Sequence, residues 1–291
     1  MPRIAYVNGR YVPFAEARVH VEDRGYQFAD AVYEVCALRG GALLDEEAHL
    51  ARLGRSLEAL KISWPVAPRV LGHIMRETAR RNGMRDGLVY VQVSRGVAPR
   101  DHPPPKDAVK PALVVTVRRA DKARSERLLG NGISVVTLPD IRWGRCDIKS
   151  TALLANVMAI AEARTRGADD AWLVDERGFV TESTRANAWI VDAKGALRTR
   201  SLDEHILHGI TRAVLLEVAG RAGHDVQESA FTVSDAEQAR EAFVSASSLF
   251  VTPVVRVNSH AIGDGKPGKV ARELRKRYLE LQGAAAKLEK F

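Results

Sequence analysis

The chain has 291 residues, 46% of them hydrophobic, and a formal net charge of +8. This length can bury one large core or two ordinary ones, so we expect an enzyme-sized fold of two domains. No apolar run is as long as a membrane span, and the first residues lack the order of a secretory signal, which predicts a cytosolic protein. Basic residues are scattered among acids, as in "ARELRKRYLELQGAAAKLEK", without a recognisable nucleic-acid motif, so the charge does not predict a nucleic-acid partner.

The first third of the chain predicts a mixed α/β module. Strands are expected at 4–7 and 31–38, and then a helix over "EEAHLARLGRSLEALKI", in which leucines recur at steps of three and four residues. Arg52 lies off this leucine stripe and would be interpreted as a surface residue. A second helix is expected at 68–82, before the strands "GLVYVQVSRG" and "PALVVTV", the first of which alternates valines with polar residues.

The charged stretch "RRADKARSERLLGNG" is interpreted as an exposed connector, which puts a domain boundary near residue 120. The predicted domains are a smaller N-terminal one, 1–120, and a larger C-terminal one, 121–291. The second part predicts strands at 133–138, 171–174, 179–182, 187–191 and near 242–245, a hairpin over "VTPVVRVNSHAIGDG", and helices at 150–166, at 211–222 and from 269.

The two cysteines and eight histidines give no sign of a metal site. Cys36 and Cys146 form neither a disulfide framework nor a metal-ligand spacing, and the histidines show no motif such as His-Glu-x-x-His. We therefore expect free thiols and no bound metal.

Lys149, in "RCDIKSTALLANVMAI", lies just before a predicted helix, with Ser150 or Thr151 as its N-cap. The helix dipole opposes a cation at this end, and an apolar surround would oppose it further, so both effects favour a neutral, nucleophilic amine. The ordinary alternative is one more lysine that extends into water. The segment alone does not decide between them.

The segment "RGVAPRDHPPP" offers a carboxylate site. Its prolines favour an extended chain, in which Arg100 and His102, two residues apart, would share a face and hold one carboxylate between them. The alternative is an exposed polar loop with two unrelated side chains.

Two other segments could bind an anion. In "HGITRAVLLEVAG" the backbone amides at Ile210 and Thr211, together with the Thr211 hydroxyl, suit a phosphate at a helix start, although an ordinary N-cap is the alternative. In "FVSASS", Ser245, Ser247 and Ser248 could donate hydroxyl hydrogen bonds or simply form a turn. Glu182 ends the strand "FVTE". Its carboxylate could lie at a functional edge of the sheet or merely in solvent.

The ordered fragments "EDRGYQFADAVYEV", "HLARL", "SRGVAPRDH", "DIRWGRCDIKS", "VTES", "HGITR" and "FVSASSLFVTPV" span nearly the whole chain. In this order they resemble the fold-type IV (class IV) pyridoxal-phosphate-dependent aminotransferases, and most of all the D-amino acid aminotransferases among them. The resemblance implies an α/β fold of two domains, a smaller N-terminal and a larger C-terminal one that carries the cofactor lysine, with pyridoxal 5'-phosphate in the cleft. It also implies a homodimer.

The resemblance assigns a role to each candidate residue. Lys149 would form the Schiff base with the cofactor and move the substrate's proton, and Glu182 would face the pyridine nitrogen. Tyr33, Arg100 and His102 would bind the carboxylate of a D-amino acid. The implied phosphate contacts are Arg52, Ile210, Thr211, Ser247 and Ser248.

The implied activity is ping-pong transamination between a D-amino acid, such as D-alanine or D-glutamate, and a 2-oxo acid. Three alternatives share the fold: an (R)-amine transaminase, a branched-chain L-amino acid transaminase and a 4-amino-4-deoxychorismate lyase. Two positions depart from the pattern, because Arg185 stands where small residues are usual and Phe250 stands where an acid is common. These departures leave the preferred side chain open.

Overall fold

The computed structural model describes residues 3–288, with side chains through residue 282. The chain divides into two compact units. The first comprises Met1–Ala120 and Ile148–Ala152, and the second comprises Asp121–Asp147 and Leu153–Phe291. The division at residue 120 lies where the sequence placed the boundary. The assignment of Lys149 to the C-terminal domain differs from the structure, because its short segment belongs to the first unit.

The first unit is a six-stranded sheet that runs in the order β2-β1-β6-β5-β3-β4 within the described residues. Its elements are β1 (Ile4–Val7), β2 (Arg10–Pro13), α1 (Arg24–Phe28), β3 (Ala31–Arg39), β4 (Ala42–Leu43), α2 (Glu46–Ala59), α3 (Pro68–Arg81), β5 (Gly87–Ser94) and β6 (Ala112–Arg119). The named neighbours in this sheet pair antiparallel. The predicted strands and helices of this region are confirmed, with ends that differ by a few residues.

The core of the first unit follows from the two hydrophobic periods in its sequence. Val89, Val91 and Val93 are buried along one face of β5, as strand alternation requires. Leu53 and Leu57 of α2 lie in the same apolar cluster as these valines. The other face of β5 carries the half-buried Tyr90 and Gln92, and this division positions the residues described below.

The second unit is built on a larger sheet, ordered β12-β11-β10-β13-β14-β7-β8-β9, with β15 paired to β14. Its elements are α4 (Lys122–Asn131), β7 (Ile133–Pro139), α5 (Leu154–Thr165), β8 (Asp170–Val174), β9 (Val180–Ser183), β10 (Asn187–Val191), β11 (Leu197–Thr199), α6 (Ile210–Arg221), β12 (Val226–Glu228), α7 (Val233–Glu237), β13 (Glu241–Ala246), β14 (Phe250–Val257), β15 (His260–Ala261) and α8 (Lys269–Leu288).

The central strands of this sheet are covered on both faces. The neighbours Trp189 and Ile190 of β10 point to opposite faces and belong to different apolar clusters. All five residues of β10 are buried, as expected for a strand with both faces covered. Within residues 3–288, no helix is both long and apolar enough to cross a membrane.

One predicted connector is a helix. The predicted segment 118–132 is mostly exposed, as expected, but it is a helix rather than an irregular connector, because α4 occupies most of it. The Asp121 side chain accepts a hydrogen bond from the Arg124 N–H at 2.9 Å and caps the helix, and Leu128 packs against the apolar cluster of the second unit. An aspartate at an N-cap and one apolar anchor are enough to offset the high charge of the segment.

The predicted N-cap at Ser150 or Thr151 was also wrong, because α5 begins only at Leu154. Ser150 forms a β-bridge with Val32, and the Thr151 N–H donates to the Ala31 carbonyl at 3.0 Å. Backbone groups that pair with β3 cannot also begin a helix. Lys149 is therefore not at a helix start, and the dipole argument for a neutral amine does not apply to it.

Candidate active site

Lys149 is fixed by the first unit through its backbone on both sides. Its N–H donates to the Ser56 hydroxyl at 3.2 Å, and its carbonyl accepts from the Tyr33 N–H at 2.9 Å. The half-buried side chain places Nζ 4.3 Å from the centroid of the Tyr33 ring. Pairing with β3 and α2 thus brings two of the predicted residues, Lys149 and Tyr33, into contact.

The Tyr33 ring is itself supported from the side. It stacks on the Tyr90 ring at 5.6 Å between centroids, and the Tyr90 hydroxyl donates to Gln92 Oε1 at 2.7 Å. Burial, and to a smaller extent the nearby Tyr33 hydroxyl, raise the pKa of Tyr90 to about 12. The Tyr90 hydroxyl therefore stays protonated and remains a donor. Tyr90 and Gln92 were not singled out in the sequence, although they lie on the polar face of a strand whose alternation was recognised.

Arg52 is buried, so its interpretation as a surface residue was wrong. Its Nε and Nη2 donate to the two carboxylate oxygens of Glu34 at 2.7 and 2.8 Å, and His49 Nδ1 lies 2.7 Å from Glu34 Oε2. Burial would raise the pKa of Glu34, but Arg52 and His49 outweigh it and hold the pKa far below its usual range. The bidentate pair fixes the plane of the guanidinium.

The sequence contains a signal for this buried cluster. Glu34 lies on the same face of β3 as Val32 and Cys36, which are both in the core, so a strand pattern already placed a carboxylate inside. His49, Arg52 and Ser56 recur at helical spacing beside the leucine stripe. A buried acid then requires a buried base, and the helix facing it supplies one.

Arg100 and His102 lie in a bent loop, so the prediction of an extended segment was wrong. The two side chains nevertheless meet at one ring: Arg100 Cζ lies 4.9 Å from the Phe28 centroid, and the His102 ring lies 5.7 Å from it. Both side chains are exposed. The loop brings them together through a shared aromatic contact rather than through strand alternation.

Arg24 ties this loop to the body of the first unit, a role that sequence patterns did not reveal. Its Nη1 and Nη2 donate to the carbonyls of Asp101 and His102 at 2.7 and 3.2 Å. Its Nε donates to Asp30 Oδ2 at 2.9 Å. Arg24 is buried, and a buried guanidinium with these partners restricts where the loop can lie.

In the second unit, Glu182 is a buried carboxylate with several donors. Arg142 Nη1 forms an ion pair with Glu182 Oε1. Asn187 Nδ2 and the Leu207 N–H donate to Oε2 at 3.1 and 3.2 Å. A cation and hydrogen-bond donors favour the charged form of a carboxylate. Of the two interpretations left open, the structure excludes a carboxylate in solvent.

Arg142 is held by a second acid, Asp140, at 2.7 Å. Burial would lower the pKa of the guanidinium, but the hydrogen bond to Asp140 and the charge of Glu182 raise it instead. Burial also acts against Asp140, whose pKa is nevertheless lowered by Arg142. The result is a buried, charged triad that keeps Arg142 on Glu182.

The start of α6 contains a buried hydroxyl without a partner. Thr211 is 2% exposed, and its Oγ1 makes no hydrogen bond to any residue that the structure describes. Gly209 precedes it, and a Cβ there would lie 2.1 Å from Asn187 Oδ1, so no larger residue fits. A buried hydroxyl beside the first amides of a helix is suited to an anion.

The serines of "FVSASS" separate into two groups. Ser245 is buried and accepts a hydrogen bond from Trp189 Nε1 at 2.9 Å, so it belongs to the core. Ser247 is half-buried and Ser248 exposed, in the turn between β13 and β14. Ser247 and Ser248 are therefore the more accessible of the three serines.

Arg185 forms a contact that limits its reach. Its Nε lies 3.7 Å from Asp170 Oδ2, and 44% of its side chain is exposed. Asp170 is buried and also accepts from Ser183 Oγ at 2.9 Å and Thr184 Oγ1 at 2.5 Å. The residues that follow Glu182 are thus anchored through Asp170.

A family model described as amino-transferase class IV matches residues 31–257. The chain belongs to this family. Its relatives include the D-alanine aminotransferase of Staphylococcus haemolyticus, 37% identical over 94% of this chain and 97% of the relative. The D-alanine aminotransferase of Listeria innocua is 38% identical over 94% of each chain. The resemblance stated from the ordered motifs is confirmed.

Solved structures of branched-chain amino acid aminotransferases share the fold. The branched-chain amino acid aminotransferase of Escherichia coli superposes with a TM-score of 0.90 at 21% identity, over 97% of this chain and 95% of that one. That of Thermobaculum terrenum, solved in its PLP-form, gives a TM-score of 0.85 at 24% identity, over 96% of this chain and 94% of that one. The predicted mixed α/β fold class is confirmed for this aminotransferase.

Proposed function

We propose that this aminotransferase uses pyridoxal 5'-phosphate to transfer the amino group of a D-amino acid, such as D-alanine or D-glutamate, to a 2-oxo acid by a ping-pong mechanism. The choice of substrate rests on one observation: relatives named D-alanine aminotransferase are 36–38% identical over 94% of this chain. Branched-chain aminotransferases share the fold at 20–26% identity. The sequence identity to the D-alanine aminotransferases is higher than the identity to the branched-chain aminotransferases. This difference favours activity on D-amino acids.

The residues of this chain fit pyridoxal phosphate. The buried Thr211 hydroxyl has no partner within the described residues. It could therefore donate a hydrogen bond to a phosphate oxygen. Glu182 is a buried carboxylate paired with Arg142. A protonated pyridine nitrogen requires such a carboxylate as its partner. Lys149 provides the amine that the cofactor aldehyde needs.

Lys149 Nζ is proposed to be the amine that would hold the cofactor, and the same amine would accept the proton from the substrate's α carbon. When bound, pyridoxal phosphate supplies an electron-withdrawing ring that makes this proton acidic. The hydrogen bonds to Ser56 and from Tyr33 fix the backbone around Lys149. Only the lysine side chain then has to move, which keeps the amine oriented for proton transfer.

Glu182 is proposed to hold a proton on the pyridine nitrogen. Its charged form is favoured by Arg142 and Asn187, and a carboxylate beside a ring N–H disfavours loss of that proton. We further propose that the phosphate is bound by the residues that the resemblance indicates, which are Arg52, Ile210, Thr211, Ser247 and Ser248.

Tyr33, Arg100 and His102 are proposed to bind the substrate carboxylate. Arg100 and His102 both contact Phe28, Tyr33 contacts Lys149, and all five residues belong to the first unit. A carboxylate fixed relative to one amine lets only one enantiomer present its α hydrogen to that amine. This arrangement is the proposed origin of the preference for D-amino acids.

The proposed function is tested by giving the protein D-alanine, L-leucine and (R)-1-phenylethylamine separately, each with 2-oxoglutarate. We expect rapid turnover of D-alanine and a kcat/KM for L-leucine lower by at least about a hundredfold, since binding the wrong enantiomer misplaces the α hydrogen. The measurement is formation of glutamate from 2-oxoglutarate.

Rapid turnover of L-leucine with none of D-alanine would contradict the proposal and favour the branched-chain alternative. Release of pyruvate from aminodeoxychorismate without an acceptor would favour the lyase. Colourless protein with salt-dependent nucleic-acid binding would favour a basic binding protein instead.

We also propose that the protein is a homodimer that uses an exposed apolar face of α5. Leu154, Val157 and Met158 lie on one side of this helix and are 73%, 57% and 54% exposed. Ala159 and Ala163 are the buried residues of the helix. Large apolar side chains grouped on a surface favour protein contact.

The free thiols Cys36 and Cys146 are consistent with the proposed cytoplasmic location.

The double substitution Leu154→Glu and Val157→Glu should convert the proposed dimer into a monomer, because like charges from both protomers cannot be buried in an apolar contact without partners. The measurement is molar mass by light scattering after size-exclusion chromatography. Arg164→Glu changes an exposed charge of the same helix and should leave the mass unchanged. A double variant that stays dimeric would exclude this face as the interface.

A further inference from the structure

The turn between β13 and β14 contains a backbone conformation that is unusual for its residue. Ala246 pairs with Phe250 across the turn, and Phe250 has φ +54°. Bulky side chains rarely adopt this left-handed conformation, which glycine adopts easily. Such outliers persist only where the surroundings hold them, and they cluster at functional sites.

Arg275 of α8 holds the backbone on both sides of Phe250. Its Nη1 donates to the Leu249 carbonyl at 2.8 Å and to the Val251 carbonyl at 2.9 Å. Its Nη2 donates to Ser125 Oγ at 3.0 Å. Arg275 is 8% exposed, so these hydrogen bonds form away from water and are correspondingly strong.

The Phe250 side chain also contacts α8. The Arg275 guanidinium lies 5.2 Å from the ring centroid, within the distance of a cation–π contact. The ring of the fully buried Tyr278 lies 5.8 Å away on the same side of α8. The terminal helix therefore fixes both the carbonyls and the ring at the end of this turn.

We infer that Arg275 and Phe250 are positioning residues for the phosphate-binding turn, an inference that rests on the proposed function. The turn residues before Phe250 include Ser247 and Ser248, the proposed phosphate contacts. A serine hydroxyl has one rotatable bond, so its position follows the backbone closely, and a hydrogen bond weakens steeply when misaligned. The strained turn, kept in place by α8, presents these hydroxyls in one arrangement.

The test compares binding of pyridoxal 5'-phosphate and of pyridoxal, which lacks the phosphate, to full-length protein freed of cofactor with hydroxylamine. Both aldehydes can react with Lys149, so the ratio of their affinities isolates the phosphate contact. Arg275→Met should lower this ratio roughly tenfold, the loss expected for one misplaced hydrogen bond to a charged group. Arg275→Lys, which keeps the charge without the fork, should give an intermediate ratio. Arg272→Met, at an exposed arginine of the same helix, should leave the ratio unchanged.

Phe250→Gly keeps the inference testable even if Arg275→Met does not fold. Glycine adopts the observed backbone conformation without strain, so this variant should fold, yet it loses the ring contacts and should lower the ratio as well. Equal weakening of both aldehydes in these variants would indicate a structural role only and overturn the inference. Wild-type protein that binds neither aldehyde would instead overturn the proposed function.

Discussion

Replacing Lys149 with alanine should reduce transamination by at least about 10⁴-fold, the scale on which enzymes lose activity when a residue that forms the covalent intermediate is removed. The backbone of Lys149 donates to the Ser56 hydroxyl of α2 and accepts from the Tyr33 N–H of β3, and its Nζ lies against the Tyr33 ring. Alanine keeps the backbone contacts, so the fold should remain. The loss would then report the chemistry of the amine alone.

The same variant has a readout that does not depend on turnover. Wild-type protein should be yellow, should lose this colour on borohydride reduction, and should gain the mass of the reduced cofactor on a peptide that contains Lys149. Lys149→Ala should take up no such label, whereas Lys194→Ala, at an exposed turn lysine, should label as the wild type does. A label that persists in Lys149→Ala would assign the covalent link to another residue.

Glu34→Gln should lower the free energy of unfolding by about 3 kcal/mol, since removing one partner leaves a buried charge uncompensated. Arg52 and His49 both contact the Glu34 carboxylate, and all three side chains are buried. The measurement is urea unfolding at pH 7. Glu77→Gln removes the partner of the more exposed Arg80 and Arg81 and should leave the urea midpoint unchanged. Equal midpoints in wild type and Glu34→Gln would contradict the role assigned to this cluster.

The contribution of Glu34 should also depend on pH. Its pKa in the folded protein lies below that of an unfolded glutamate because Arg52 and His49 outweigh its burial. The stabilisation is therefore complete above about pH 4.3, the pKa of an unfolded glutamate. It is lost as the pH falls below that value, by about 1.4 kcal/mol per pH unit. The difference between wild type and Glu34→Gln should accordingly shrink as the pH falls below about 4.3, toward the lower pKa of Glu34 in the folded protein.

Local patterns predicted most of the secondary structure because they depend on neighbours in sequence. The alternation of Val89, Val91 and Val93 and the spacing of Leu53 and Leu57 determine which faces are apolar, whatever those faces pack against. Apart from the missed helix α4, the errors occurred where a distant partner determined the local structure. Ser150 pairs with Val32 rather than capping a helix, and no pattern within the segment shows that.

The candidate site shows the same division. The order of the motifs identified the family and singled out Lys149, Glu182 and Thr211, because the type of each residue and its place in that order are properties of the sequence. Arg24 and Arg142 could not be found, because each supports another residue that is distant in sequence, whereas the strand pattern of β3 does indicate a buried carboxylate at Glu34. Their pairing became visible only through burial and distance.

By itself, the sequence determined the family, the mixed α/β class and the lysine proposed to carry the chemistry, since residue identity, order and hydrophobic period are all encoded locally. Only the tertiary structure decided what surrounds those residues. It grouped Lys149 with the first unit, buried Arg52 on Glu34, paired Arg185 with Asp170, and placed Arg275 of the terminal helix against the serine turn. Each of these contacts joins residues that are distant along the chain, and the free energy that selects them comes from packing and from pairing buried charges.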